Sequence, residues 1–324
     1  MPKVSIVIPV YNSEKYIKKC LDSVLNQTLQ DFEVICINDG SKDDSLRILQ
    51  EYTKKDPRII IIDKKNEGQG IAKNLGIDKA SGQYLLCLDS DDWLEKQALE
   101  LAYTKIKENN SDILFFDAYR HVEKTNKKYL LKYTEIYKNF KERNFSPFDA
   151  GKTLFLTNGL TFKMYNLDFI KKENIKFSEC KFIEDATFYI KAMLCAENII
   201  CLAKPLYNYR IQEKSSTTNY KEYFECIPKV FNECFEIIKN QKFNKEILES
   251  FLENRKNALI RFYSITPFIY KYKYYKMMQT VIKNNFCQYE LDENLEKIYK
   301  MNFFTHYLYS QIYVLDKIFK TYNF

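Results

Sequence analysis

Apolar residues in the first 120 positions recur in short runs, separated by segments with helical spacing. The runs are rich in Val, Ile and Leu on both faces, which is typical of buried parallel strands. They cover residues 4–10, 32–37, 59–62, 84–88 and 113–116. Strands that alternate with helical patterns through short links indicate βαβ units. The pattern therefore predicts an α/β fold, with a Rossmann-like, mostly parallel sheet flanked by helices.

Four helical segments are predicted between these strands. Residues 17–25 carry apolar side chains at i, i+3 and i+4 spacing, and Ser41 followed by Asp44 resembles a capping box that opens the next helix. Residues 70–80 and 95–109 predict two more helices.

The second half of the chain differs from the first in composition and in its pattern of apolar residues. Residues 120–146 are basic and free of glycine, and we interpret them as a connecting segment. A second ordered stretch covers 149–210, and from about residue 220 glycine is absent and helical patterns rich in Tyr, Phe and Lys follow. We predict a first domain over residues 1–218 and a C-terminal helical subdomain over 219–324.

The composition argues against several classes of protein and several kinds of catalytic site. No run of about eighteen apolar residues and no signal-peptide cleavage site is present, so we expect a cytoplasmic protein. The nine cysteines form no Cys-x-x-Cys pair and only two histidines occur, which argues against a zinc site and a histidine-based triad. Any general base is therefore expected to be a carboxylate.

The positive charge is unevenly placed. The formal net charge is +7, and residues 255–283 alone hold seven Lys or Arg and no acid, interleaved with Tyr and Phe. One interpretation is that this stretch attaches the protein peripherally to the anionic inner face of the cell membrane. The other is a set of amphipathic helices whose tyrosines pack on the rest of the protein. Nucleic-acid binding is disfavoured by the small total charge and the acidic strand ends.

Acidic residues follow several predicted strands. Asp39 ends the second strand and Asp89-Ser90-Asp91 ends the fourth. Open parallel sheets bind ligands beyond these strand ends, and carboxylates two residues apart on an extended segment face the same way. Such a pair suits Mg²⁺ or Mn²⁺ shared with substrate phosphates. The alternative is that Asp91 or Asp92 caps a helix beginning near Leu94.

Other phosphate-binding patterns are missing. No Gly-x-Gly-x-x-Gly follows the first strand and no Walker A motif occurs, which argues against a dinucleotide enzyme and a P-loop NTPase. Tyr11 is placed either to stack on a base or to pack in the core. Glu184 and Asp185 precede a helical run over 186–196, as favourable charge at a helix N-terminus or as a general base.

Five segments, in order over residues 3–218, resemble the inverting family 2 glycosyltransferases of the GT-A fold, especially bacterial enzymes that build surface polysaccharides. They are "VSIVIPVYNSEKYIKKCLDSVLNQT", "FEVICINDGSKDDS", "NEGQGIAKNLGIDKASGQYLLCLDSDDW", "FIEDATFYIKA" and "PLYNYRIQEKSST". The resemblance implies a metal-dependent transfer, with inversion, from a UDP-sugar to a glycan or lipid-linked acceptor. Capsule, lipooligosaccharide or a related bacterial glycan would be the product.

The resemblance also implies roles for individual residues. Asp39 would pair with uracil, and Asp89 with Ser90 would lie by the ribose or sugar of the donor. Contacts with the nucleoside would come from Pro9, Tyr11 and Glu14. Contacts with the diphosphate would come from Lys73, Arg210, Ser215 and Ser216. Asp91 would bind Mn²⁺ or Mg²⁺. Asp185 would be the catalytic base, with Glu184 beside it at the acceptor. The chain departs from the family at Asn38, where aspartate is common, and at Lys73, where arginine is common.

Two other functions stay open at this point. A sugar nucleotidyltransferase would share the sheet and the acidic site, although "PVYNSEK" lacks the glycine-rich loop that such enzymes place after the first strand. A non-catalytic protein that binds UDP or a glycan could keep the same fold.

Overall fold

A sheet of nine strands runs through the described part of the chain. The computed structural model describes residues 1–140, 143–155, 161–212, 220–266 and 268–286. The strands are β1 (Val4–Val10), β2 (Phe32–Asp39), β3 (Ile59–Lys64), β4 (Tyr84–Cys87), β5 (Trp93–Leu94), β6 (Ile113–Val122), β7 (Lys127–Leu131), β8 (Lys163–Asn166) and β9 (Ile199–Ile211).

The strand order creates a crevice beside β1. The order is β3-β2-β1-β4-β8-β6-β9-β5, with β7 paired to β6. Strands β3, β2, β1 and β4 are mutually parallel, β8 is antiparallel to β4 and β6, and β6 and β9 are parallel. The connections leave β1 in opposite directions, towards β2 and towards β4, so ligands are expected at the carboxyl ends of these strands.

Helices cover both faces of the sheet. They are α1 (Ile17–Leu25), α2 (Ser45–Thr53), α3 (Gln69–Lys79), α4 (Ala98–Glu108), α5 (Pro147–Ala150), α6 (Leu167–Lys172), α7 (Asp185–Cys195), α8 (Tyr220–Lys239), α9 (Lys245–Ile265) and α10 (Phe268–Val281), followed by a π-helical turn over Ile282–Phe286. The predicted α/β class, with a largely parallel sheet flanked by helices, is confirmed.

Alternating strand residues feed two separate cores. Ile6 and Ile8 pack on the face that α1, α2 and α4 cover, whereas Val7 packs with Ile37 on the face of α3 and α7. All four side chains are fully buried. The unbroken apolar runs in the sequence follow from this arrangement, because a strand between two helical layers has no solvent-facing side.

The predicted starts of two helices are wrong. Helix α2 begins at Ser45 with Asp44 as its N-cap residue and no side-chain cap, so Ser41 and Asp44 form no capping box. The Ser41 hydroxyl instead accepts a hydrogen bond from the backbone N–H of Asn12, at 3.1 Å. Helix α4 begins at Ala98, not near residue 94 or 95, because Trp93 and Leu94 pair with β9 as strand β5.

The basic segment over 120–146 is also more ordered than predicted. Strand β6 continues to Val122, and β7 returns along it as an antiparallel hairpin. Within the described part of the chain β7 pairs with β6 alone, so it is an edge strand. Short helical turns follow over Glu123–Thr125 and Tyr133–Phe140.

The C-terminal helices share a core with the α/β part. Side chains of α8, α9 and α10 belong to the same buried cluster as those of α7. The division at residues 218 and 219 falls in the stretch outside the described residues and stays a prediction. Three of the seven cations in 255–283 are buried, namely Arg255, Lys256 and Lys271, which limits any membrane contact to the remainder. No described helix is both long and apolar enough to cross a bilayer.

Candidate active site

The turn after β1 forms one wall of a cleft. Tyr11 is 49% exposed there, and Ser13 is buried beneath it. The Ser13 backbone N–H donates to the Ser45 hydroxyl at 2.7 Å, and the hydroxyls of Ser13 and Ser90 lie 2.7 Å apart. These contacts fix the turn after β1 to α2 and to the turn after β4. Pro9 and Tyr11 both line the cleft, and their contacts with a nucleoside stay a prediction.

Asp39 organises the loop that leads into α3. Its carboxylate accepts hydrogen bonds from the backbone N–H groups of Glu67, at 3.0 Å, and Gly68, at 2.8 Å. Lys64 Nζ donates to the same carboxylate at 2.8 Å. Asp39 is 2% exposed but still borders the cleft, so its predicted pairing with uracil concerns a carboxylate that also holds this loop.

Asp92 anchors the acidic turn after β4 and is buried. Its carboxylate accepts hydrogen bonds from the Tyr207 hydroxyl and from the backbone N–H of Arg210, both at 2.7 Å. Burial, followed by the negative charges of Asp91 and Asp89, raises the pKa of Asp92 well above its usual range. The helix-cap interpretation of these aspartates is therefore wrong, because Asp92 faces β9 and the next helix starts at Ala98.

Asp91 borders the cleft with incomplete charge compensation. Gln212 Nε2 donates to its carboxylate at 2.6 Å, and Arg210 Nε donates to its backbone oxygen at 2.8 Å. Burial and the neighbouring charge of Asp89 raise the pKa of Asp91. A cation bound here would relieve this repulsion, because opposite charge favours the ionised form.

Lys73 lies behind the acidic turn. Its Nζ is 3.2 Å from Asp89 Oδ1 and 3.7 Å from Glu184 Oε1, and the residue is 3% exposed. Burial lowers the pKa of Lys73, but the charges of Asp89 and Glu184 outweigh burial and raise it overall. Lys73 therefore joins the end of β4 to the start of α7. The diphosphate contact that the resemblance implies for Lys73 stays a prediction.

Glu184 and Asp185 sit differently although they are neighbours. Glu184 is buried, and burial, opposed by Lys73 and reinforced by Asp185, raises its pKa to about 7. Asp185 is the first residue of α7 and is half-buried. Gly70 makes the approach of α3 possible, because a Cβ at Gly70 would lie 2.3 Å from the Ser178 oxygen and 3.0 Å from Glu184 Cβ.

Arg210 is held against aromatic rings at the end of β9. Its guanidinium carbon lies 4.7 Å from the centre of the Tyr16 ring and 4.9 Å from that of Trp93. Its Nη1 is 3.4 Å from Glu123 Oε1, at the end of the hairpin formed by β6 and β7. Such stacking and pairing orient the guanidinium for an anion.

The cleft has a volume of about 820 Å³. Seven of the predicted residues line it, namely Pro9, Tyr11, Asp39, Asp89, Ser90, Asp91 and Arg210. The described residues that line the cleft do not include four other predicted residues, namely Glu14, Lys73, Glu184 and Asp185. Glu14 lies in a neighbouring cleft of about 590 Å³, where its carboxylate accepts a hydrogen bond from the Asp44 N–H. Ser215 and Ser216 lie outside the described residues.

A family model described as Glycosyl transferase family 2 matches residues 5–171, just over half of the chain. The chain belongs to glycosyl transferase family 2. Among family relatives, glycosyltransferase GlyA of Streptococcus pneumoniae serotype 4 is 34% identical over 226 residues, 68% of this chain and 32% of that protein. The poly(ribitol-phosphate) beta-glucosyltransferase of Bacillus spizizenii is 36% identical over 219 residues, 65% of this chain and 32% of that protein.

The fold comparison agrees with the family. The crystal structure of S. aureus TarS 1-349 in complex with UDP-GlcNAc matches with a TM-score of 0.69 at 24% identity, over 87% of this chain and 81% of that chain. This likeness confirms the GT-A fold. The chain spans about a third of the length of each of the two curated relatives above.

The donor groups at the cleft fit a divalent cation of the kind many GT-A enzymes use. The described residues contain no cluster of three or more His, Cys, Asp or Glu that would enclose a metal. Mg²⁺ and Mn²⁺ do not need one, since one or two carboxylates with substrate phosphates are their usual ligands in such sites. Asp91, with its raised pKa and the adjacent Asp89, supplies that arrangement in this family 2 member.

Three further residues hold the site residues of this family 2 chain in place and were not predicted from the sequence, namely Tyr207, Gln212 and Glu123. Tyr207 of β9 and Gln212 just after β9 donate hydrogen bonds to Asp92 and Asp91. Glu123, in the turn between β6 and β7, contacts Arg210 and accepts a hydrogen bond from the Tyr16 hydroxyl. More than 80 residues separate each from its partner on the acidic turn or β9. The quoted "PLYNYRIQEKSST" contains Tyr207 and Gln212, but only the pairing of β5 with β9 shows which side chains they meet.

Proposed function

We propose that this family 2 member transfers a sugar from a UDP-sugar to a hydroxyl of a glycan or lipid-linked glycan, with inversion at the anomeric carbon. The proposal is carried by one observation: the turns after β1, β2 and β4 and the end of β9 bring Tyr11, Asp39, Asp91 and Arg210 to one cleft. Bacterial surface-polysaccharide synthesis is the proposed setting, supported by a relative named as a poly(ribitol-phosphate) glucosyltransferase.

The nucleoside would occupy the part of the cleft near β1 and β2. Tyr11 offers an exposed ring for stacking on the base, and Pro9 forms the floor beside it. Asp39 would accept a hydrogen bond from the uracil ring through the lone pairs that its present partners leave available. Asp89 and Ser90 would face the ribose and the transferred sugar.

Asp91 would hold Mn²⁺ or Mg²⁺. When bound, such an ion supplies positive charge that stabilises the leaving diphosphate. Arg210 would add a guanidinium on the same side, oriented by Tyr16 and Glu123. These charges act where negative charge grows during bond cleavage, which is where electrostatic stabilisation is most effective.

Asp185 would act as the general base. It would accept the proton of the acceptor hydroxyl at a carboxylate oxygen while the hydroxyl oxygen attacks the anomeric carbon on the face opposite UDP. Glu184 is less suited to this step, because its carboxylate is buried and paired with Lys73. We assign Glu184 to the acceptor side, where it would keep Asp185 and the start of α7 in place.

The test is UDP release from UDP-GlcNAc, UDP-glucose and other UDP-sugars in the presence of Mn²⁺ or Mg²⁺ and candidate acceptors. We expect Asp185→Asn to lower kcat by about a hundred- to ten-thousand-fold, since it removes the base. Asp91→Asn should abolish the response to added metal. Asp78→Asn, an exposed change on α3, is the matched control. Near-normal turnover of Asp185→Asn would overturn the base assignment.

The same experiment separates the alternatives. Pyrophosphate release from UTP and a sugar phosphate would identify a nucleotidyltransferase. Saturable UDP binding without turnover on any acceptor, shown by calorimetry beside the activity screen, would identify a non-catalytic binding protein. Either result replaces the transferase proposal.

A further inference from the structure

Helix α10 presents one continuous outward face. Its exposed side chains recur every three or four residues and, together with Lys283 of the π-helical turn that follows, define the α10 outer face: Ile269, Tyr272, Lys273, Lys276, Thr280 and Lys283. Ile269 is 78% exposed and Tyr272 is 57% exposed. These two residues lie at the N-terminal end of the face, and the lysines follow them towards its C-terminal end.

The opposite side of α10 explains why the orientation of the helix is fixed. Tyr274 and Met278 are fully buried, and the Tyr274 hydroxyl donates to the Leu259 oxygen at 3.0 Å. Lys271 points inward and donates to the Tyr263 oxygen. The helix therefore cannot rotate to bury Ile269 and Tyr272 without exposing this inner side.

The charge of the α10 outer face has one sign. Residues 268–286 contain four lysines and no Asp or Glu, and Lys271 is the one that faces inward. Lys273 Nζ lies 4.9 Å from the centre of the Phe224 ring, and Lys276 Nζ lies 5.7 Å from that of Tyr272. The two ammonium groups thus lie within cation–π distance of aromatic rings, and lysines beside aromatic side chains are typical of interfacial helices.

We propose that the α10 outer face docks on the surface of an anionic lipid bilayer. Isoleucine and tyrosine suit the boundary between headgroups and acyl chains, and lysines beside them are attracted to anionic headgroups. Charge complementarity therefore favours this occupant. Contact along one helix face would hold the protein at the membrane reversibly, whichever sugar it transfers.

Flotation with vesicles tests the proposal. Vesicles of phosphatidylglycerol and phosphatidylcholine should bind the protein, and vesicles of phosphatidylcholine alone should bind it far more weakly. Changing Lys273, Lys276 and Lys283 together to Gln should lower the partition coefficient by about a hundredfold, from the usual contribution of each lysine near such a surface. The matched control changes three exposed lysines elsewhere, Lys54, Lys79 and Lys172, to Gln and should bind like the wild type.

A second variant separates the contribution of the apolar side chains to membrane binding from that of the lysine charges. Ile269→Ser with Tyr272→Ser should weaken binding while leaving its dependence on salt, because the lysines remain. Size-exclusion chromatography and UDP binding are measured on every variant. Equal binding to neutral vesicles, equal loss in the control, or a change of oligomeric state caused by the α10 variants would overturn the proposal. None of these readouts requires sugar transfer, so they stand apart from the proposed activity.

Discussion

At the scale of single residues, three ionic groups follow one another at the site, and two of them, Lys73 and Glu184, are buried. Asp89, Lys73 and Glu184 follow one another at 3.2 Å and 3.7 Å, with Lys73 between two carboxylates. Removing charges from water is costly, and the pairing repays that cost only while all partners remain. The arrangement fixes the position of the turn after β4 relative to the start of α7.

Glu184 should make stability depend on pH. Its pKa is raised from an ordinary value near 4.5 to about 7, so the folded state binds a proton that the unfolded state releases. The contribution is fully present below pH 4.5 and is lost as the pH rises through 7. We expect the free energy of unfolding to fall across this window, by up to about 1.4 kcal/mol per pH unit.

Denaturant titrations from below pH 4.5 to above pH 7, compared between wild type and Glu184→Gln, check this expectation. The difference between the two curves should slope downward with pH, because glutamine does not titrate. Glu179→Gln, a change five residues earlier in the same loop, serves as the control for an added amide. A flat difference curve would show that Glu184 has the same pKa in the folded and the unfolded state and would contradict the expectation.

At the scale of elements, the hairpin of β6 and β7 should tune donor binding through Glu123. The Glu123→Gln variant removes the charge that pairs with Arg210 while keeping its size. Because the Glu123 side chain is 43% exposed, we expect only a two- to fivefold rise in KM for the donor, about the effect of an exposed ion pair, with kcat unchanged. Steady-state kinetics measure it, with Lys127→Gln on the same hairpin as control. A drop in kcat at constant KM would contradict this role.

The same elements show what a sequence can predict. Strands β1, β2, β3 and β4 were predicted to within two residues from their uninterrupted apolar runs. In β1, β2 and β4 the run reflects burial on both faces, whereas β3 lies at the sheet edge with Ile60 exposed. Strands β5 and β7 carry no such signature. Trp93 and Leu94 become a strand only because Asn208 and Tyr207 lie opposite them. Motif residues at strand ends could therefore be identified, whereas the partners that orient them depend on long-range pairing.

At the scale of the whole molecule, aromatic contacts connect the predicted subdomain to the rest. The Phe251 ring on α9 lies 4.9 Å from Phe235 on α8 and 6.0 Å from Phe155. Phe251 is fully buried, so Phe251→Ala should cost about 3 to 5 kcal/mol in unfolding free energy. The effect should reach the sheet, because the contact spans both parts.

Trp93 provides the readout, since it is the only tryptophan in the chain and lies in β5 beside the acidic turn. Its fluorescence midpoint in denaturant should shift to lower concentration in Phe251→Ala and stay unchanged in Lys229→Ala, an exposed change on α8. If circular dichroism shows early loss of helix while the Trp93 transition is unmoved, residues 219–324 unfold as an independent unit.

Among the described residues one edge of β7 is unpaired, which affects how the protein behaves when concentrated. A strand with one unpaired edge can pair with a strand of another molecule and so extend the sheet. The exposed side chains of Tyr129 and Leu130 would favour such pairing because it would bury apolar surface. Lys127 and Lys128 stand on the same short strand. Consecutive strand residues face opposite sides of a sheet, so two copies aligned edge to edge would bring like charges near each other on each face. We therefore expect these lysines to disfavour fibrous self-association.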